Sequence, residues 1–147
     1  MNKKIINATP CTIAGIEFKS KLEGRIYKAI KALGIDIKYE TVTYTLSPKI
    51  RSKVPFYNKT KVRGFHKMSS VVEDITYTPD FNFKLNGIYV IMEAKGKEND
   101  VYPIKRNLFR KQLELLDYPV MFFEVHSKKE ALEAIKIVKQ TDATKLI

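Results

Sequence analysis

Two short groups of polar residues have the types and spacing that suit hydrolysis of a phosphodiester bond. Asp80 lies in the run Tyr-Thr-Pro-Asp-Phe, and Glu93 and Lys95 form a Glu-x-Lys pattern. Side chains two residues apart on a β-strand project from the same face, so Glu93 and Lys95 would lie together while Ala94 points into packing. Carboxylates bind hard divalent cations, and a nearby lysine can orient a water molecule and offset charge on the phosphate. Asp80, Glu93 and Lys95 are therefore candidate catalytic residues.

Two predicted strands joined by a tight turn would bring these residues together. Residues 75–85 and 88–94 are rich in β-branched and aromatic side chains, which favours strands. Between them lies Asn86-Gly87, a dipeptide typical of two-residue hairpin turns. In an antiparallel pair, Asp80 near the start of the first strand would approach the end of the second, where the Glu-x-Lys pattern lies.

The rest of the chain predicts how this hairpin is supported. Periodicity predicts helices over residues 17–33, 104–116 and 127–139 and strands over residues 35–46 and 118–125. The order α-β-β-β-α-β-α predicts an α/β fold, a mixed central sheet flanked by helices. We expect a flexible, irregular arm over residues 1–15 and a single domain over residues 16–147. The last helix would begin with a capping box and bury Ala131, Ala134, Ile135 and Val138.

The composition indicates a negatively charged partner. Twenty-seven Lys and Arg residues against sixteen Asp and Glu residues give a formal net charge of +11. Such an excess favours nucleic acid, with an anionic membrane surface as the main rival. No apolar run approaches the ~20 residues that span a bilayer, and no signal peptide is expected. The single cysteine excludes an internal disulfide and a cysteine-based zinc site, so we expect a reducing, cytoplasmic setting.

Two basic segments are candidate DNA-binding surfaces. The longer lies in an irregular stretch over residues 47–74, predicted to be an insertion, where aromatic side chains alternate with basic ones. The other is one face of the predicted helix over residues 104–116. Charge runs are often only solvated, but aromatic residues between lysines suit stacking on unpaired bases. The predicted DNA-binding residues are Lys49, Arg51, Lys53, Lys59, Lys61, Arg63, Lys67, Lys105, Arg106, Arg110 and Lys111.

The acidic groups resemble those of the PD-(D/E)xK nuclease superfamily. The closest likeness is to phage endonuclease I-type Holliday-junction resolvases, and it covers roughly residues 16–96. It is carried, in order, by the run Phe18-Lys19-Ser20-Lys21-Leu22-Glu23, by Gly34-Ile35, by Tyr39-Glu40, by Tyr-Thr-Pro-Asp-Phe and by Glu-Ala-Lys-Gly. The resemblance implies a restriction-endonuclease-like core and an endonuclease that cleaves branched DNA with Mg²⁺, with Mn²⁺ able to substitute.

The resemblance also implies a role for each site residue. Asp80 would bridge the metal ions, Glu93 would bind one of them, and Lys95 would position the attacking water. The backbone carbonyl of Ala94 would be a further metal ligand. Glu23, on the first helix, would be an outer carboxylate for a second metal or for water.

Resolvases of this type are dimers that exchange elements, so the resemblance implies a homodimer with Glu23 facing Asp80 across the subunits. Glu40 is a weaker acidic candidate. The chain departs from the family over residues 47–74, where an insertion would lengthen the bridge between subunits, form a DNA-binding loop or abolish the exchange. A phage origin would place the protein in the host cytoplasm. Two other functions stay open: a single-strand, flap or nicking nuclease, and a non-catalytic DNA-binding module with a nuclease fold.

Overall fold

A computed structural model of the protein describes residues 8–146, which contain three α-helices and twelve β-strands. The helices are α1 (Lys21–Lys31), α2 (Tyr102–Leu113) and α3 (Lys128–Gln140), followed by a 3₁₀ helix (Ala143–Leu146). The strands are β1 (Cys11–Ile13), β2 (Ile16–Phe18), β3 (Lys38–Tyr39), β4 (Tyr44–Ser47), β5 (Ile50–Arg51), β6 (Tyr57–Thr60), β7 (Gly64–Lys67), β8 (Val71–Val72), β9 (Ile75–Tyr77), β10 (Phe81–Leu85), β11 (Ile88–Ala94) and β12 (Val120–Val125). The mixed α/β class is confirmed. No helix in this part of the chain is long and apolar enough to cross a membrane.

The strands of residues 8–146 are divided among several sheets, so the prediction of one central sheet is wrong. The largest is a four-stranded mixed sheet with the order β12-β11-β10-β3. Within it β11 and β12 are parallel and the other pairs are antiparallel. The parallel pair needs a long crossover, which α2 supplies. The other strands form the two-stranded sheets β1-β2, β4-β9, β5-β8 and β6-β7.

The predicted hairpin of β10 and β11 is confirmed. Asn86 and Gly87 between the two strands have φ angles of 53° and 73°, and two positive φ angles are what a type I′ turn requires. The Asn86 amide also donates hydrogen bonds to the carbonyls of Val138 and Thr141, at 3.0 and 2.8 Å. These carbonyls lie at the end of α3, so one turn residue stabilises both the hairpin and the last helix.

Apolar side chains cover both faces of the four-stranded sheet. Val90 and Met92 pack in one buried cluster with residues of α1 and α3, whereas Ile91 between them packs with Phe109 of α2. This alternation is the ordinary two-residue period of a strand buried on both faces. The predicted stripe of α3 is confirmed, since its buried residues are Ala131, Ala134, Ile135 and Val138.

The helix α2 differs from its prediction in its start and in its buried side. It begins at Tyr102, and its buried residues are Tyr102 and Phe109. The periodicity predicts Leu108, Leu113 and Leu116 as its inward side, but all three are only half-buried. The Phe109 ring lies edge-on to the rings of Tyr77 and Phe122, with centroids 4.9 and 5.3 Å away. These aromatic contacts fix the rotation of the helix about its axis.

Two predicted strands are interrupted beside the candidate site. A break at residues 78–80 separates β9 from β10, because Pro79 has no backbone N–H to donate to a ladder. The strand predicted over residues 35–46 is divided into β3 and β4, and Glu40 between them has a φ of 47°. The Glu40 N–H donates to the carbonyl of Asp80 at 2.8 Å. The first interruption therefore contains Asp80, and the second is hydrogen-bonded to it.

The N-terminal segment is more regular than predicted. β1 and β2 form a hairpin, so an irregular arm is wrong from Cys11 onward, while residues 1–7 lie outside the described residues. The hairpin packs on α1 at Gly24, where an added Cβ would lie 2.5 Å from Sγ of Cys11. Glycine is unfavourable inside a helix, and this close approach explains its presence here.

The predicted insertion over residues 47–74 is not irregular either. The pairs β5-β8 and β6-β7 follow the pair β4-β9 outward along one antiparallel path. Residues 48–74, hereafter the ribbon, therefore extend from the base strands β4 and β9 to a turn between β6 and β7.

Candidate active site

The structure brings Asp80, Glu93 and Lys95 together at the end of β11. The Ala94 N–H donates to Oδ2 of Asp80 at 2.8 Å, and the Asp80 N–H donates to Oε2 of Glu93 at 3.3 Å. Nζ of Lys95 lies 2.8 Å from Oε1 of Glu93. Asp80 and Glu93 are 8% and 5% exposed. Two buried carboxylates and an ammonium group thus share one site.

Tyr77, the first residue of the Tyr-Thr-Pro-Asp-Phe run, adds a hydrogen bond to Glu93, although the sequence predicted no role for it. Its hydroxyl donates to Oε2 of Glu93 at 2.6 Å. Burial, followed by the negative charge of Glu93, raises the pKa of Tyr77 far above its ordinary value, so the hydroxyl stays a donor. Its partner Glu93 lies 16 residues away, and the sequence signal for Tyr77 is its place at the start of the Tyr-Thr-Pro-Asp-Phe run.

Lys95 is held on its other side by Tyr102. Its Nζ lies 3.6 Å from the centroid of the Tyr102 ring, a cation–π distance, and its side chain is 16% exposed. The Tyr102 hydroxyl donates to Oε1 of Glu124 at 2.8 Å, which fixes the ring. Lys95 is therefore positioned between a carboxylate and an anchored aromatic ring.

The carboxylates of the site repel each other. Burial, and then the negative charges of Glu93 and Glu23, raise the pKa of Asp80 to about 8, although the Ala94 N–H and Lys95 act in the opposite direction. The single ammonium group of Lys95 does not compensate both carboxylates when both are ionised. A cation bound between them would relieve the repulsion.

Glu23 is held at the start of α1 in a capping box. Oγ of Ser20 accepts the Glu23 N–H at 3.1 Å and donates to Oε1 of Glu23 at 3.0 Å. Oε2 of Glu23 accepts from the Tyr39 hydroxyl at 2.6 Å and from the Lys19 N–H at 3.2 Å. Glu23 does not line the cleft described next, but its charge acts on Asp80. Because both lie in one chain, no exchange between subunits is needed to bring them near.

An open cleft of about 440 Å³ lies at the site. Asp80, Glu93 and Lys95 line it, together with Lys19 and Glu40, which form an ion pair. The positive φ of Glu40 is a strained conformation for a residue with a side chain, and such residues cluster at functional sites. The hydrogen bond from the Glu40 N–H to the Asp80 carbonyl holds Glu40 beside Asp80.

Comparison with known proteins assigns the chain to a family, but the family has no described activity. Residues 3–132 match a family described as "Protein of unknown function (DUF1064)". The chain belongs to this family. No curated protein and no solved structure matches the chain. The chemistry of this DUF1064 chain therefore has to follow from its own site.

The donor set of the DUF1064 chain fits Mg²⁺. Asp80, Glu93 and the Ala94 carbonyl supply hard oxygen atoms, and Mg²⁺ commonly takes one or two carboxylates together with water and phosphate oxygens. Among residues 8–146, no three acidic, histidine or cysteine side chains form a group that could hold an ion alone. Water and substrate would have to complete the coordination.

The predicted DNA-binding residues of the DUF1064 chain fall into different settings. Lys105 lines the cleft, and Arg110 and Lys111 are exposed on α2. Arg106 pairs with two glutamates at 3.2 Å each and Lys49 with one at 3.0 Å, so their charges are compensated. The others are exposed on the ribbon: Arg51, Lys53, Lys59, Lys61, Arg63 and Lys67.

Proposed function

We propose that the protein is a Mg²⁺-dependent endonuclease that hydrolyses phosphodiester bonds in branched DNA and has a restriction-endonuclease-like core. One observation carries this function: Asp80 and Glu93 are buried, the Asp80 N–H donates to Glu93, and Lys95 pairs with Glu93 beside an open cleft. When both carboxylates are ionised, Asp80, Glu93 and Lys95 together carry one net negative charge, which favours binding of a divalent cation beside the cleft. Carboxylates used only for stability are normally paired or left exposed.

Asp80, Glu93 and the Ala94 carbonyl would hold the ion. When bound, Mg²⁺ lowers the pKa of a coordinated water and neutralises charge on the phosphate. Lys95, held against Tyr102, would donate a hydrogen bond to the attacking water or to a phosphate oxygen and offset the charge that develops there. Tyr77 would keep the Glu93 carboxylate oriented through its hydrogen bond.

The proposed substrate is branched DNA bound through its backbone. Lys19 and Lys105 line the cleft, and the ribbon adds exposed basic residues, which suits contacts to phosphates rather than to base edges. Branched DNA presents phosphates of several strands at one place. Following the resolvase likeness, we propose that a homodimer acts in the cytoplasm and makes paired cuts.

The decisive experiment compares cleavage of a labelled four-way junction and a matched linear duplex, with Mg²⁺ and with EDTA. We expect metal-dependent nicks at the junction, with Mn²⁺ able to replace Mg²⁺. Asp80→Asn and Lys95→Ala should lose at least about 100-fold in rate, since each removes a group that acts on the transition state. Lys84→Ala, at an exposed lysine on β10, is the matched control. Cleavage at parental rates by Asp80→Asn and Lys95→Ala would exclude this site.

A second candidate is a single-strand or flap nuclease, or a nicking enzyme. Exposed aromatic side chains on the ribbon favour it, because unpaired bases stack on such rings. Cutting of flaps or single strands in place of junctions would select this activity with the same site residues. Tight binding without cutting in either Mg²⁺ or Mn²⁺ would instead indicate a non-catalytic DNA-binding module.

A further inference from the structure

The ribbon is an unusually exposed part of the molecule. Beyond its base the paired strands lie against each other, as shown by the Ser52 N–H donating to the Ser70 carbonyl and the Met68 N–H to the Phe56 carbonyl, both at 2.8 Å. Its residues make no part of either buried cluster. Its outer strands β6 and β7 are separated from the base strands by residues 48–56 and 68–74, and no ribbon residue lines the cleft. The outer hairpin is therefore placed to contact a ligand outside the cleft.

The outer hairpin of the ribbon has two chemically different faces. In its register Tyr57 lies opposite Lys67, and Lys59 lies opposite Phe65. Directly opposed residues share a face, and so do residues two apart on a strand, so these four side chains form one aromatic and basic face. The other face carries Asn58, Thr60 and His66.

The aromatic and basic face is exposed and can contact a ligand. Tyr57 is 53% and Phe65 is 73% exposed. Nζ of Lys59 lies 5.8 Å from the Phe65 centroid, a weak contact that leaves most of the ring uncovered. Residues 48–67 contain seven basic and no acidic residues, and within residues 8–146 only Lys49 among the seven has an acidic partner. Aromatic rings among unpaired cations suit an anionic ligand with flat, stackable groups.

We propose that the ribbon is a docking arm for a single-stranded stretch of DNA. Lys59 and Lys67 bind phosphates, while Tyr57 and Phe65 stack on successive unpaired bases, the two contacts by which non-specific single-strand binding proteins hold their ligand. This proposal rests on the proposed function in one respect: the nucleic acid that the ribbon binds is the DNA that the same protein would cleave.

The base of the ribbon leads directly to the candidate site. β9 ends at Tyr77, which bonds to Glu93, and Asp80 follows after three residues. DNA held along the ribbon would therefore be led toward the cleft. The preferred substrate would therefore have unpaired bases beside the cleavage position, a feature that the site residues alone do not specify.

Charge argues against a second copy of the chain, and the placement of the aromatic rings argues against a membrane surface. A second copy of the chain would have to pair with the open edges of β6 or β7, and lysines along these edges oppose such pairing. An anionic membrane surface would attract the lysines but would not need Tyr57 and Phe65 on diagonal positions of the hairpin, each opposite a lysine. The test includes both alternatives as outcomes.

The test measures binding in EDTA, so that it does not depend on cleavage. Fluorescence anisotropy with a labelled oligothymidine and with a matched duplex would be recorded at several salt concentrations. We expect Phe65→Ala to weaken single-strand binding at least about fivefold and duplex binding less. Lys59→Gln combined with Lys67→Gln should reduce the salt slope by about 1.4, or about 0.7 per phosphate contact.

Matched controls separate the face from the fold and from net charge. Asn58→Ala changes the opposite face of the same hairpin and should leave binding unchanged. Lys128→Gln combined with Lys136→Gln removes the same charge from α3 and should have a smaller effect. A shortened ribbon, in which Asn-Gly joins Ser52 to Ser70, should reproduce the loss, since this turn suits the facing pair found there.

The outcomes distinguish the docking arm from the proposed nuclease. If all ribbon variants bind oligothymidine as the parent does, the arm is excluded even if the parent cleaves DNA. If binding depends on the ribbon but the parent cleaves nothing, the arm stands and the endonuclease is excluded. Unchanged DNA binding, with lost dimerisation in sedimentation or lost binding to anionic vesicles, would assign the ribbon to a second copy or a membrane and overturn the inference.

Discussion

The hydroxyl of Tyr77 donates a 2.6 Å hydrogen bond to Oε2 of Glu93. Tyr77 ends β9, a base strand of the ribbon, and Glu93 is a candidate metal ligand on β11. The bond therefore joins the support of the ribbon to the candidate site inside the core. Any displacement of β9 would act first on the orientation of this carboxylate.

Tyr77→Phe should keep the aromatic packing but remove one of the two buried hydrogen-bond donors of Glu93. Removing a hydrogen bond to a charged group costs about 1.5–3 kcal/mol, and we expect the free energy of unfolding to fall by this amount. DNA cleavage should fall about tenfold, because the carboxylate is no longer oriented. Denaturant unfolding and single-turnover cleavage measure the two effects. Tyr118→Phe, at an exposed ring, is the control. If Tyr77→Phe were as stable as the wild type, the hydrogen bond to Glu93 would not contribute to stability.

Asp80→Asn should stabilise the metal-free protein, and the gain should grow with pH. Folding raises the pKa of Asp80 from 3.8 to about 8. The folded state therefore prefers the protonated form, and stability present below about pH 4 is lost as the pH rises through 8. Asparagine does not titrate, so its advantage should increase to at least about 2 kcal/mol at pH 8, a value well below the full linkage limit.

Urea unfolding in EDTA at several pH values would measure this difference. Asp142→Asn is the control, because the exposed Asp142 carboxyl has its pKa lowered by hydrogen bonds from Thr144 and should show no growing gain. An advantage of Asp80→Asn that stays constant with pH would argue against repulsion at the site.

Tyr102→Phe and Tyr102→Leu should separate two roles of one ring. Phenylalanine keeps the face that holds the Lys95 ammonium group and loses only the bond to Glu124, so cleavage should stay within about threefold. Leucine removes the cation–π contact and should lower the maximal rate about tenfold, with a smaller change in KM. Equal rates in the two variants would show that the ring does not position Lys95.

Glu23→Gln should separate the capping role of Glu23 from its charge. Glutamine can keep the capping box with Ser20, so we expect the melting temperature to change by less than about 3 °C. The lost charge lies close enough to act on Asp80, so the Mg²⁺ needed for half-maximal cleavage should rise about fivefold. Glu23→Ala should lose stability as well. An unchanged Mg²⁺ requirement in Glu23→Gln would leave Glu23 only its structural role.

Local signals predicted the parts of the fold that local chemistry determines. Asn86-Gly87 specifies its turn through two positive φ angles, and the spacing of Ala131 and Val138 specifies the buried side of α3. The Glu-x-Lys spacing likewise places Glu93 and Lys95 on one face. Each of these depends on residues within a few positions of one another.

The features that were missed depend on partners distant in sequence. Tyr77 and Tyr102 look like ordinary packing residues until the hairpin and α2 bring them to Glu93 and Lys95. The ribbon lacks a buried side, so it has no apolar alternation to indicate its strands. The left-handed conformation of Glu40 is fixed by the Asp80 carbonyl and not by its own side chain.

The turn at Asn86 is a site where slow deamidation would damage the protein. An asparagine before a glycine deamidates readily, because the small neighbour does not hinder closure of the succinimide ring. The product would replace an amide that donates to the carbonyls of Val138 and Thr141 by a carboxylate that repels them. An aged sample would therefore lose both the β10-β11 turn and the hold on the end of α3, and the loss would appear as a slow, one-way decline in stability.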